Sequence, residues 1–95
     1  MAPPDDGTLR LLVARYVRRI ALTHDERREI LHIARGLAPH ASAKIERVPV
    51  ETIRTRRKHI YRKLKLSGAS DLVSTLLALS LSMLVDRRVD RSERS

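Results

Sequence analysis

The stretch Thr52-Ile53-Arg54-Thr55-Arg56-Arg57-Lys58-His59-Ile60-Tyr61-Arg62-Lys63-Leu64 decides how the chain is read. Six of its thirteen residues are Arg or Lys, and none is acidic. Ile53, Ile60 and Leu64 fall at i, i+7 and i+11, the spacing of one helical face. At about 100° per residue, Arg54, Thr55, Lys58 and Arg62 come out on the opposite side. The pattern predicts a helix with an apolar back and a cationic front. Arg57 is the exception, because it falls about 40° from Ile53, on the core side. It must either run its head group out to solvent or pair with an acid, Glu26 or Glu29. Taken alone, such a face is only solvated charge, so its surroundings have to decide.

Upstream, Pro49 cannot continue a helix interior and separates this helix from a shorter one over 39–47. Pro39 can start that helix, since its missing N–H is not needed in the first turn. Ala41, Ile45 and Val48 give it a small buried side. Two helices meeting at a tight turn, the second one basic, is the layout of a helix-turn-helix. Further upstream, Thr23 followed by Glu26 forms a capping box, and Asp25 and Glu26 suit the positive end of the helix dipole. Ile30, Leu31, Ile33, Ala34 and Leu37 supply its buried face, and Gly36 is placed to end it in a left-handed conformation. Before it, Leu9, Leu12, Val13, Tyr16, Val17 and Ile20 predict an amphipathic helix at about 8–20, capped by Thr8. Arg10, Arg15, Arg18 and Arg19 lie mostly on its other side.

Downstream, Leu66-Ser67-Gly68-Ala69-Ser70 reads as a loop, with Ser70 capping a last helix and Asp71 in its first turn. Leu72, Val73, Leu76, Leu77, Leu79, Leu81, Met83, Leu84 and Val85 cover more than half of that helix's circumference. A helix apolar over so wide an arc is either deeply buried or packed on two sides. In a domain this small the second side is most simply a partner subunit. The expected organisation is a disordered lead at 1–7, an amphipathic helix at 8–21, the helix-turn-helix domain with its dimer helix at 22–85, and a charged, frayed tail at 86–95. No internal repeat or strand-like alternation is present.

Ninety-five residues make one domain with a modest core. The net charge of +9 points to an anionic partner: nucleic acid, acidic lipid or an acidic protein. Aromatic residues make up 2 %, with no Phe and no Trp, so the chain cannot build a stacking platform for single strands. Double-stranded DNA is the better candidate. There is no cysteine, hence no disulfide, thiol nucleophile or thiolate metal site. No signal peptide is visible, and the run from Leu72 to Val85 is too short to span a bilayer. The expected location is cytoplasmic, without membrane contact.

The run from Leu22 to Leu79 resembles the DNA-binding domain of LuxR-type (GerE-like) bacterial regulators. The residues that carry the likeness are Leu22-Thr23 with Glu26 and Arg27, Ile30, Ala34-Arg35-Gly36-Leu37, Thr52-Ile53-Arg54, Ile60-Tyr61-Arg62-Lys63-Leu64, Leu66, and Asp71 with Val73. The resemblance implies an all-α fold: a four-helix helix-turn-helix domain, here preceded by one additional helix. It implies that the last helix makes a dimer, for which Leu72, Leu76 and Leu79 are the candidates. It also implies that Arg54, Thr55 and Lys58 face base edges, as the helical wheel does independently, and that Thr52 and Arg56 hold phosphates. Lys44, Arg47, Arg62 and Lys63 read as further phosphate clamps. The chain departs from the family at Glu29, Ser42 and Glu46, where apolar residues are usual. It also departs at Pro49, which replaces a Ser cap, and at Arg56, which replaces a frequent His. Ile45 suggests that the first helix of the motif is shifted by one position.

The residues therefore predict a homodimeric, sequence-specific transcription regulator. Two recognition helices, each over about 50–64, would enter successive major grooves. Two other readings remain: a module that binds RNA polymerase or another regulator, and an architectural DNA binder with little sequence preference. Glu29 and His32 form an E-x-x-H pair, but a di-iron site needs two such pairs, so no metal or cofactor is expected. His24, His40 and His59 lack ligand spacing. No phosphate loop, nucleophile motif or acid–base pair is present, so no enzyme activity is expected. The helix at 8–20 either caps the four-helix core or extends the dimer interface.

Overall fold

The computed structural model describes the backbone of residues 6–93 and the side chains of residues 7–85. Among them there are five helices and no strand: α1 (Asp6–Tyr16), α2 (His24–Ala34), α3 (Pro39–Glu46), α4 (Val50–Leu64) and α5 (Ala69–Glu93). The protein is all-α. Residues 1–5 of the expected disordered lead lie outside the described residues, while residues 6 and 7 already belong to α1.

The helix ends follow local chemistry. Thr23 Oγ1 accepts from the Glu26 N–H at 3.1 Å, and Glu26 Oε1 accepts from the Thr23 N–H at 2.9 Å, closing the expected capping box on α2. At the other end Gly36 adopts φ 83°, and the Leu37 N–H bonds back to the His32 carbonyl. α3 and α4 end in the same way without a glycine. Arg47 and Lys65 both take φ 58°, and the next residues, Val48 and Leu66, bond back to Ala43 and Tyr61.

Some boundaries differ from expectation. Thr8 lies inside α1 and does not cap it. α1 stops at Tyr16, four residues early, and the turn that follows still delivers Val17 to the core at 0 % exposure. α5 begins at Ala69, before Ser70; Asp71 closes its first turn by accepting from the Ser67 N–H at 2.9 Å and from the Ser67 hydroxyl. Helix then continues through Glu93, where a frayed tail was expected from residue 86. The side chains of that tail lie outside the described residues.

The apolar core gathers at one end of the domain. Leu9, Leu12, Val13 and Val17 of the N-terminal segment meet Ile30, Leu31 and Ile33 of α2, Ile60 and Leu64 of α4, and Leu72 and Leu76 of α5. α1 packs on α2 and α5, so it covers the core as one of the two expectations had it.

The other end, where α3 meets the first half of α4, is held differently. Ile53 and Ala43 are buried there, but so are Glu29, Ser42 and Arg57. Arg57 Nε donates to Glu29 Oε2 at 2.7 Å, and its Nη2 donates to the Leu37 carbonyl at 2.7 Å. Ser42 donates its hydroxyl proton to Glu29 Oε1. Arg57 thus takes the acid-pairing option, with Glu29. The same network fixes the roll of α3. Ser42 and Glu46 point inward, while Ile45, expected on the buried side, is 57 % exposed. The positions of α3 that face the domain are thus polar, and their partners include Glu29, Arg28 and His32.

A buried ion pair makes single and concerted replacements behave differently. Glu29→Leu leaves Arg57 buried without its acid and should lower the unfolding free energy by about 3–5 kcal/mol. The triple change Glu29→Leu, Ser42→Ala, Arg57→Met should recover most of that loss. Urea denaturation of both variants is the measurement. A cost below about 1 kcal/mol for the single change would mean that Arg57 escapes to water and constrains nothing.

Candidate nucleic-acid interface

α4 presents Glu51, Thr52, Arg54, Thr55, Lys58, His59 and Arg62 to solvent and turns Ile53, Arg57, Ile60 and Leu64 inward. Arg54, Thr55 and Lys58 share the exposed side, on the face that the wheel assigned them. Arg54 is 48 % exposed at the side chain, with its Nε 3.4 Å from Glu51 Oε1. On α3, Lys44 and Arg47 are exposed, and His40 joins them at i, i+4, i+7. These three line an open groove beside the connection Val48-Pro49. The i, i+4, i+7 spacing of His40, Lys44 and Arg47 was legible in the sequence.

Not every cation of the stretch reaches this surface. Arg56 is only 13 % exposed; its Nη1 lies 3.3 Å from Glu46 Oε1 and its Nη2 lies 3.6 Å from Asp25 Oδ2. Lys63 donates to Glu26 Oε1 at 2.7 Å and to the Ala21 carbonyl at 3.1 Å. Both had been read as phosphate contacts. They flank the core stripe, about 60° and 80° from Ile53, so the neighbouring helices offer them acids before solvent does. With Arg57 on Glu29, three of the six Lys and Arg residues are paired with acids of α2 and α3, Lys63 while still 39 % exposed at the side chain. Arg54, Lys58 and Arg62 remain on the outward face.

Glu46 is the hub of a second polar cluster. Its carboxylate receives Arg28 at 2.8 Å, His32 Nε2 at 3.1 Å and Arg56 at 3.3 Å, although its side chain is 8 % exposed. The Arg28 hydrogen bond, helped by His32 and opposed by burial, pulls the Glu46 carboxyl from 4.5 to about 2. Burial also opposes ionisation of Glu26, but bonds from Lys63 and Thr23 outweigh it and hold that carboxyl below its ordinary range. The E-x-x-H pair is split between the two networks: Glu29 goes to Arg57, and His32 goes to Glu46. His32 Nδ1 is buried without a partner. Among the described residues, no group of three or more His, Asp or Glu is arranged to hold a metal ion. No single helix there is long and apolar enough to cross a membrane.

The last helix needs a correction. Leu72 and Leu76, expected at a dimer contact, are 0 % and 5 % exposed and face the domain's own core. α1 and α2 occupy that side. Leu79 is half-buried. The uncovered row is Val73, Leu77, Leu81 and Leu84, at i, i+4, i+8 and i+11, and all four are exposed. Leu11 of α1, 72 % exposed, lines a groove together with Leu84.

The depressed Glu46 carboxyl fixes the sign of an acid effect. It binds fewer protons folded than unfolded, so its stabilisation is present above pH 4.5 and lost as the pH falls towards 2. Denaturant titrations between pH 6 and 3 should show stability falling, and Glu46→Gln should flatten that slope while lowering stability at pH 6. An unchanged slope in the variant would remove Glu46 from the account.

Comparison of the chain with models of known protein families, with curated proteins and with solved structures finds no match.

Proposed function

We propose that the protein is a LuxR-like, sequence-specific double-stranded DNA-binding regulator of transcription, working as a homodimer. In this reading α3, the connection at 47–49 and α4 form the helix-turn-helix, α2 and α5 complete the four-helix domain, and α1 is an added cover. The observation that carries it is the outward face of α4. Arg54, Thr55, Lys58 and Arg62 project from a helix whose opposite side is locked by Ile53, Arg57, Ile60 and Leu64. A rigid basic helix of 15 residues is a suitable probe for a major groove about 12 Å wide. Arg54 would make a bidentate contact to guanine, and Lys58 would make a less directional one. Thr52, Arg62, Lys44 and Arg47, with His40, would hold phosphates and set register. Lys63 and Arg56 would act through the acids that bind them, positioning α4.

The second copy would sit on the row Val73, Leu77, Leu81 and Leu84. Four exposed aliphatic side chains on one helix face favour a partner of the same apolar kind. The same row favours a second reading, a module that docks on RNA polymerase or another regulator and touches DNA weakly.

Two measurements separate these readings. Fluorescence anisotropy on a duplex selected from a random pool should give tight, salt-sensitive binding. Arg54→Glu with Lys58→Glu should abolish it while the circular dichroism of the folded chain stays unchanged. Weak binding to every duplex at low salt would favour the docking module, and equal affinity for selected and random duplexes would favour an architectural binder. Sedimentation at micromolar concentration should find a dimer that Leu77→Asp with Leu81→Asp converts to a monomer. A native monomer would count against the dimer.

A further inference from the structure

We propose that Glu51 is a specificity-determining residue of the α4 face: its carboxylate reads an amino group on a base edge, with cytosine preferred. The inference rests on the DNA-binding reading above and deepens it.

Glu51 belongs to the outward face by geometry. Relative to Ile53 it lies at about 160° around the helix, between Lys58 at about 140° and Arg62 at about 180°. It therefore lies in the angular middle of the surface that carries Arg54, Thr55 and Lys58, at the N-terminal end of the helix, and it is 81 % exposed at the side chain. It is the single acid of α4. The other acids of α2 and α3, namely Asp25, Glu26, Glu29 and Glu46, are turned towards cations within the domain. Glu51 is the one presented where a polyanion would approach. A purely electrostatic surface is weakened by a carboxylate on it, because phosphates repel it.

Its place in the first turn suits the helix dipole, but a dipole asks only for an acid in that turn and does not select this face. Its contact with Arg54, 3.4 Å between two exposed groups at i, i+3, is of the weakly stabilising kind. Base reading accounts for both the acid and its position. An ionised carboxylate only accepts hydrogen bonds. In the major groove it matches the N4 amino group of cytosine and is repelled by the acceptor pair of guanine and by O4 of thymine. Arg54, which only donates, matches guanine. The two residues are three apart, about 4.5 Å along the helix axis, close to one base-pair step of about 3.4 Å. They are spaced to read the same or adjoining pairs with opposite chemistry.

The test is selection from a random duplex pool with the native chain, Glu51→Ala and Glu51→Gln, followed by competition titrations on the selected duplex and on random duplex. The native chain should select a site with one position that strongly favours cytosine on the contacted strand. Glu51→Ala should lose about tenfold of the preference at that position, keep the others, and bind random duplex at least as tightly as the native chain. Glu51→Gln, which gains donors, should shift that position towards adenine, whose N6 and N7 edge fits a carboxamide. An unchanged selected site in both variants, with affinity raised evenly on all duplexes, would overturn the role of Glu51 and leave the DNA reading standing. Failure of the native chain to bind any duplex would overturn both.

Discussion

The contact between Glu29 and Arg57 holds the architecture of this domain in place. A carboxylate at 0 % exposure and a guanidinium at 9 % exposure meet at 2.7 Å, with Ser42 and the Leu37 carbonyl taking further bonding positions of each. Charges taken out of water are costly, and only a partner with good geometry and satisfied neighbours offsets the loss. That requirement selects one arrangement of α2, α3 and α4. Glu29 is on α2, Ser42 is on α3 and Arg57 is on α4, so the three helices must all be in register for the network to close. Glu46 repeats the device nearer the surface, tying α3 to Arg28 and His32 of α2 and to Arg56 of α4. The short helix α3 has few apolar residues to bury, and polar complementarity takes over the work that packing does elsewhere.

Much of the fold was readable in the sequence where a local signal acts. The capping box at Thr23 and Glu26, the left-handed Gly36, the break at Pro49 and the apolar stripe of α4 each depend on residues close in the chain. The face of α4 follows from angular spacing alone, and so did the inward position of Arg57, though not which of its two options, solvent or an acid, it takes. What escaped reading depends on distant partners. Ser42 and Glu46 looked like intrusions on an apolar face because their partners, Glu29, Arg28 and His32, belong to another helix. Ile45, expected on the buried side of α3, faces solvent for the same reason. The same limit applied to α5: its wide apolar arc was visible, but only the placing of α1 and α2 decides that Leu72 and Leu76 face inward and Val73 and Leu77 face outward.

The charge of the chain also divides once it is folded. Composition counts 20 Lys and Arg against 11 Asp and Glu, which suggests a surface uniformly rich in cations. The fold pairs Arg28, Arg56, Arg57 and Lys63 with Asp25, Glu26, Glu29 and Glu46, burying Arg57 and most of Arg56. What remains outward on α3 and α4 is a short, geometrically defined set.

The two ends of the domain are built from interactions that answer temperature in different ways. The α1–α2–α5 end rests on aliphatic burial, which weakens on cooling. The end carrying α3 and the first half of α4 rests on buried ions, whose desolvation becomes less costly as temperature rises. Warming therefore shifts the balance of rigidity along the molecule towards the connection at 47–49 and the face of α4. On cooling that shift reverses, because desolvation of the buried ions becomes more costly while aliphatic burial weakens as well.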